Sequence, residues 1–387
     1  MYVTNNESLV KLNYNLMLSK SILCTTMVAI SFLVAGNMYG ISSYTPHNTD
    51  QLAYGINSTN YTGIEQDTKA FLLDLKAKNS PPINTLPPDK ARAALSGLQS
   101  SYPVTMPQAT VENTTIPFGN LTNGDNNTKQ LPIQIIRPEG VSGNQVLPAV
   151  MYFHGGGWVL GGYDTHERLV KQLANGANVT VVFVNYTPSP EAKYPVPLEE
   201  AYTATKWVSD NGQSINVNSS RLAVAGDSVG GNMATAVALL AKERGGPNIS
   251  LQTLFYPVTD TNFNTTSYLE YQNGYHLTRD AMMWFWNNYL DNQTNPKDPL
   301  VSPLQAPIEQ LKGLPPTLII TDENDVLRDE GEAYAHKLME ADVPVTSVRY
   351  LGTVHDFMML NALASTPATE EAISQASNVI NKMLNES

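Results

Sequence analysis

Four short segments of this chain carry residues that could together perform acyl transfer. That chemistry needs a nucleophile on a tight turn, a base within hydrogen-bond reach, an acid to orient the base and donors for the oxyanion. The nucleophile candidate is Ser228 in Gly226-Asp227-Ser228-Val229-Gly230, which follows the β-rich run Arg221 to Ala225 and opens a helical pattern. In a strand-turn-helix setting the serine takes a strained backbone conformation, and the flanking glycines let strand and helix pass without Cβ clashes. The helix start adds a partly positive environment for the charge that develops on reaction. Gly-x-Ser-x-Gly alone is a weak signal, and its flanks make it a strong one.

The second segment is His154-Gly155-Gly156-Gly157-Trp158, directly after the apolar run Ala149 to Phe153. Consecutive glycines allow backbone N–H groups to converge on one oxygen, so Gly155, Gly156 and Gly157 with the amide of Val229 are the candidate oxyanion hole. His154 precedes the serine, whereas acid and base follow it in this type of turn, so His154 reads as a brace for the loop. A phosphate cradle is a poor reading of these glycines, because the Lys-Ser/Thr ending is missing. Three histidines follow the serine: His276, His336 and His355. His276 falls in an insertion and His336 inside a helical pattern. His355 follows the run Val345 to Tyr350 after a short turn, Leu351 to Val354, where a loop at the carboxyl edge of a sheet carries catalytic groups. The acid belongs to Asp322-Glu323-Asn324-Asp325-Val326-Leu327-Arg328-Asp329-Glu330. Asp329 and Glu330 open a helix and complement its dipole. Asp322 ends a strand, and Asp325, just before Val326-Leu327, is better placed for burial beside His355. Its task would be to fix the imidazole tautomer and stabilise the imidazolium.

The elements that must position these groups alternate. Val111 to Pro117 and Leu131 to Arg137 read as an antiparallel start around a turn-rich loop, Asn120 to Lys129. Six further runs follow: Ala149 to Phe153, Val179 to Val184, Arg221 to Ala225, Leu251 to Tyr256, Pro316 to Thr321 and Val345 to Tyr350. They are short and mostly continuous, as expected for parallel strands covered on both faces. Helical patterns at 166–174, 198–210, 231–242, 329–341 and 369–384 separate most of them or follow the last, giving an α/β, doubly wound, mostly parallel eight-stranded sheet. Two helices, Asp67 to Lys78 and Pro88 to Gln99, precede the sheet, kept apart by Pro81-Pro82 and Pro87-Pro88. An insertion at about 260–298 carries Met282, Phe285, Trp286 and Tyr289 on one helical face, a stripe that reads as core or as the lining of an acyl pocket.

Of the 387 residues, Lys and Arg number 23 against 35 Asp and Glu, a net charge of -12 that argues against a nucleic-acid partner. The single cysteine, Cys24, lies in an apolar leader, so the body is expected to have no disulfide and no thiolate metal site. There is no metal-ligand spacing such as His-Glu-x-x-His, and no metal or organic cofactor is expected. In the leader, Lys11 and Lys20 precede an uncharged run, Ser21 to Gly36, built like an export signal. The run is longer than most signal cores and shorter than most spanning helices. Residues 1–37 therefore read as a cleaved signal peptide or an uncleaved anchor tethering the protein to a membrane, with a wrongly assigned start or an ordinary buried helix as the remaining readings. Either of the first two makes the body extracytoplasmic, secreted or membrane-anchored. Residues 38–66 are rich in Asn, Thr, Ser and Gly without a period and read as a flexible tether.

Several of these segments resemble one family. His154-Gly-Gly-Gly-Trp158, Gly226-Asp-Ser-Val-Gly-Gly231, Asp325-Val-Leu-Arg-Asp-Glu-Gly331, Tyr256-Pro-Val-Thr-Asp260 and Tyr194-Pro-Val-Pro-Leu-Glu199 are similar to segments of the hormone-sensitive lipase group of esterases, the α/β-hydrolase fold-3 type. The resemblance runs from about Asp67 to Leu384, including cap helices at about 67–100. It implies an α/β-hydrolase domain over 67–387 with a helical cap and a Ser228-His355-Asp325 triad. It also implies a small-molecule ester substrate, with short or medium acyl chains. Non-catalytic hormone receptors share this scaffold but commonly lack the histidine, and the same triad also serves amidases and thioesterases. Two departures stand out. Val229 replaces the usual alanine and is expected to crowd the acyl site, and Asp356 stands where glycine usually follows the base.

Overall fold

In the computed structural model, which describes residues 61–119 and 129–386, the eight expected strands form a single sheet. They are β1 (Ala109–Phe118), β2 (Lys129–Pro138), β3 (Leu147–Phe153), β4 (Thr180–Val184), β5 (Val217–Asp227), β6 (Leu251–Phe255), β7 (Thr317–Asn324) and β8 (Val345–Val354). Their spatial order is β1-β2-β4-β3-β5-β6-β7-β8. β1 pairs antiparallel with β2, and β2 antiparallel with β4, while every other pairing is parallel. The edge strand β1 alternates between exposed and partly buried positions, whereas β3, β4 and β6 are buried from end to end. This is the physical reason for the continuous apolar runs: a strand covered on both faces has no solvent side.

The helices are α1 (Gln66–Lys78), α2 (Pro88–Ser100), α3 (Tyr163–Ala177), α4 (Val196–Asn211), α5 (Val229–Arg244), α6 (Thr266–Glu270), α7 (Arg279–Tyr289), α8 (Ile308–Leu311), α9 (Arg328–Glu340) and α10 (Pro367–Asn385). α3 packs with α10 on one face of the sheet, and α4 packs with α5 on the other. α6 and α7 lie in the expected insertion between β6 and β7. In α7, Met282, Phe285, Trp286 and Tyr289 are all buried, and the Tyr289 ring stacks on Trp158 with centroids 4.0 Å apart. Such a stack adds about 0.5–1.5 kcal/mol to its area burial and fixes the insertion on the glycine loop.

Among the boundaries that differ from the sequence reading, three bear on how the site is held. Residues 61–66, assigned to the tether, are packed. Tyr61 is buried and its hydroxyl donates to Gly274 O at 3.0 Å, while Glu65 caps α1 and its amide donates to Gly352 O at 3.1 Å. Second, Leu351 to Val354 belongs to β8 instead of forming a turn; Gly352, at φ +72°, absorbs the register shift opposite the end of β7. Third, β7 itself continues past Asp322 to Asn324. The leader at 1–37, most of the tether and most of the Asn120 to Lys129 loop lie outside the described residues. Among the described residues no helix is long and apolar enough to cross a membrane.

Cap and body are joined by hydrogen bonds that end at the candidate loops. Arg92 of α2 donates from Nε to Val159 O at 2.7 Å and from Nη2 to Ser189 O at 2.9 Å, and forms a bidentate pair with Glu191. The Gln99 amide donates to Thr165 O at 2.6 Å and Met359 O at 3.1 Å, and its oxygen accepts from Asn361 N at 2.9 Å. From α3, the Arg168 guanidinium donates to the carbonyls of Met358, Met359 and Leu360. The loop after β8 is thus held from two helices.

Candidate active site

Ser228 sits between β5 and α5 with φ +54° and ψ −120°, a conformation costing on the order of 1–3 kcal/mol for a residue with a Cβ. The surroundings enforce it. The Ser228 amide donates to Phe255 O at 2.8 Å, and its carbonyl accepts from Gly231 N at 3.0 Å and Val258 N at 3.1 Å. A Cβ on Gly230 would overlap Phe153 O, and one on Gly226 would overlap Gly230, so only glycine lets α5 start this close to β3 and β5. The residue before the serine, Asp227, is fully buried and accepts hydrogen bonds from Tyr152 Oη at 2.7 Å and His166 Nε2 at 3.1 Å. Burial disfavours the His166 imidazolium, but Asp227 outweighs it and raises the pKa above the ordinary value.

His355 directly follows β8. Its Nε2 lies 3.0 Å from Ser228 Oγ and its Nδ1 lies 2.7 Å from Asp325 Oδ2. Asp325 as a carboxylate can only accept, so Nδ1 carries the proton and Nε2 is left to accept from the serine hydroxyl in the neutral ring. The other Asp325 oxygen accepts from Leu327 N at 3.1 Å. The rival candidates are elsewhere. His336 is exposed on α9. Asp329 accepts from Ser267 N at 2.8 Å and Glu330 accepts from Thr259 N at 2.7 Å. His276 lines the cavity but faces Asp356, with 3.7 Å between its Nε2 and Oδ2. Asp322 is fully buried with both oxygens unpaired, and one of them lies within 4.8 Å of His355 and Asp325. Burial first, and then Asp325 and Asp356, push its carboxyl well above the usual range.

The electrostatics of His355 follow from these neighbours. Burial works against the imidazolium, but Asp325 and Asp356, with Asp227 behind them, outweigh it and push the pKa up to about 9. His154, by contrast, lies flat against Tyr186, with ring centroids 4.2 Å apart, and its Nδ1 donates to Gly155 O at 2.8 Å. Burial, reinforced by His166, lowers its pKa to about 4, so it is a neutral brace for the glycine loop.

Above Ser228 and His355 lies a cavity of about 290 Å³. Its walls are mostly apolar: Leu95 and Leu98 from α2, Ile83 from the turn between the cap helices, Leu160, and Ala281, Met282 and Phe285 from α7. The α7 stripe therefore divides, Met282 and Phe285 facing the cavity and Trp286 and Tyr289 packing on Trp158. Gly156 (φ +101°) and Gly157 (φ +65°) line the cavity, and their amides have no backbone acceptor among the described residues. Gly155 does not line it; a Cβ there would overlap the Asp227 carboxylate. Val229 opens α5, so its amide has no acceptor within the helix. Its side chain is wholly buried in the core and is not part of the cavity wall, which corrects the expectation that it crowds the acyl site.

Residues 150–359, which contain Ser228, Asp325, His355 and the glycine loop, match the alpha/beta hydrolase fold family. The chain belongs to that family. Within it, the hormone-sensitive-lipase-like esterase type expected from the motifs agrees with several similar proteins. A carboxylesterase of Mycobacterium tuberculosis is 36% identical over 283 residues, covering 73% of this chain and 85% of that one. A thermostable esterase of Pseudomonas putida is 47% identical, with 84% of this chain and 98% of that one covered and a TM-score of 0.79. An esterase of the fungus Rhizomucor miehei follows at 39% identity, 81% and 95% coverage and a TM-score of 0.75. What the motifs of the family do not reveal are the supports: Gln99, Tyr152, His166 and Arg168 carried no signal beyond their place in strand or helix patterns.

Proposed function

We propose that this carboxylesterase hydrolyses short- to medium-chain acyl esters through an acyl-enzyme on Ser228, with His355 as general base and Asp325 as the acid that orients it. The observation that carries this reading is the run of contacts Ser228 Oγ, His355, Asp325 at 3.0 and 2.7 Å, buried under an apolar cavity. Neutral His355 takes the serine proton at Nε2 as Oγ bonds to the ester carbonyl. The negative charge moves to the carbonyl oxygen, where the amides of Gly156, Gly157 and Val229 are the donors. The C–O bond to the alcohol then breaks, and His355 gives its proton to the leaving alkoxide. Water repeats the sequence on the acyl-enzyme, releasing the acid and returning the proton to Ser228.

Two features support the preference for modest chains. The cavity is at the lower end of the range of ligand pockets, about 300–1,000 Å³, and the cap helices α1 and α2 close it from above. Ester hydrolysis over amide or thioester cleavage rests on the esterase relatives. Hydrolysis of an acetate, butyrate, hexanoate and palmitate series, with amide and thioester counterparts, tests both points: butyrate-sized esters should be fastest, and a preference for palmitate or for amides would overturn the reading. The apolar leader supports an extracytoplasmic location, which N-terminal sequencing of the mature chain tests.

A further inference from the structure

Acyl transfer as written above uses one carboxylate, yet a second lies against the base. Asp356 holds φ +68°, a left-handed backbone that favours glycine, and is only 9% exposed. Its Oδ1 lies 3.4 Å from His355 Nε2, the same nitrogen that meets Ser228 Oγ, and has no hydrogen-bond partner among the described residues. Its Oδ2 lies 3.7 Å from Nε2 of His276, a residue supplied by the insertion. Both residues line the cavity. A buried carboxylate with one oxygen unspent and aimed at the reacting nitrogen is costly unless a donor arrives there. The donor available is His355 itself, once protonated.

We propose that Asp356 is a positioning residue that competes with Ser228 for His355 Nε2, holding the imidazolium in the resting enzyme and steadying it again after the serine has attacked. The inference rests on His355 being the base. In the neutral ring, Nε2 accepts from Ser228 and repels the Asp356 oxygen. In the imidazolium, Nε2–H has two acceptors, and the charged one is stronger. Asp356 therefore delays the onset of activity as pH rises, and lowers the energy of the charged ring in the transition state.

The charged groups around the pair agree. Burial opposes the His355 imidazolium, but Asp325 from the end of β7 and Asp356 outweigh it, with Asp227 from β5 adding to them. Burial likewise opposes the Asp356 carboxylate, but His355, His276 from the insertion and His166 from α3 outweigh it and lower its pKa. The remaining titratable neighbours are Asp322 from β7, pushed toward its neutral form chiefly by burial, and the buried phenols Tyr152 and Tyr256. None of these supplies a hydrogen bond to Oδ1.

The test is the pH dependence of kcat/KM for a butyrate ester in the full chain and in Asp356→Asn and Asp356→Gly. Glycine suits the left-handed backbone and asparagine tolerates it, so the two variants separate loss of charge from loss of shape. In both, the acidic limb should move down by about one unit or more, the shift expected on removing a like-sized charge in contact. Below the wild-type limb the variants should be relatively more active, while the alkaline plateau should fall. A limb that stays at its wild-type position in both variants overturns the inference, whatever happens to the plateau. His355→Ala separates the two failures: if it keeps full activity the base assignment itself is wrong, whereas an inactive His355→Ala with an unmoved limb in the Asp356 variants sinks only the role of Asp356.

Discussion

His154 and His355 occupy matching places in this molecule. Each is the first residue after a parallel strand, β3 or β8, at the carboxyl edge of the sheet, and they are 3% and 2% exposed. Burial pulls both toward the neutral ring. His154, whose contacts are the Tyr186 ring, a carbonyl and the like-charged His166, follows that pull to about 4. His355, with Asp325 on one nitrogen and Asp356 beside the other, is driven to about 9. The same side chain at the same depth becomes a neutral ring or one held ready to charge according to the carboxylates in contact, so exposure alone says nothing about which histidine suits chemistry.

The comparison is most strained by removing the members of each site. Ser228→Ala or His355→Ala should lower kcat by about a millionfold, and the double variant should be little worse, because the groups act as a unit. Asp325→Asn should lower kcat by about 10⁴-fold, since an amide in contact with Nδ1 favours the wrong tautomer. On the other loop, Gly157→Ala should cost about 10²–10³ in kcat: the residue has φ +65° and a Cβ would overlap the Phe285 ring, so the proposed oxyanion donors must shift. His154→Phe should be the mildest, with kcat reduced about tenfold or less and stability by about 1–3 kcal/mol for the lost hydrogen bond and the misfit. A His154 variant as inactive as His355→Ala, measured with the same butyrate ester, breaks the distinction.

The two rings also predict opposite slopes of stability with pH. His355 binds its proton more tightly in the folded state, so its contribution is complete below about 6.5 and is lost as pH rises through about 9. His154 binds its proton less tightly, so stability falls as pH drops from about 6.5 through about 4. Each contribution is at most about 3 kcal/mol. Thermal melts across pH should show His154→Phe flattening the acid side and Asp356→Asn the alkaline side.

What was legible in the sequence was what local sterics and periodicity write there. The strand, glycine and serine pattern around Ser228 encodes a backbone clash with Phe153 that only glycine avoids, and continuous apolar runs encode strands covered on both faces. Asp325 stood apart in sequence from Asp329 and Glu330, which open a helix, and from Asp322, which ends a strand, but Asp322 and Glu330 prove as buried as Asp325 and only the contact with His355 separates them. Contacts that join distant segments were not legible. Nothing near His276 says that it reaches Asp356, and nothing in α2 says that Arg92 and Gln99 clamp the loops after β3 and β8. Val229 was misjudged for the same reason, since which way the first turn of α5 faces depends on the packing of the whole sheet. The start of the packed body was placed late because Tyr61 and Glu65 find their partners at Gly274 and Gly352, far along the chain.

The most direct measurement is the rate of labelling by a fluorophosphonate as a function of pH, with the adduct mapped by mass spectrometry. It reads nucleophile and base together without a choice of ester. A single adduct on Ser228, forming ~tenfold faster per pH unit until the rate levels near 9, is the result expected from a serine whose base sits among carboxylates. An adduct on another residue, no adduct in the folded protein, or a rate already level at neutral pH would contradict it.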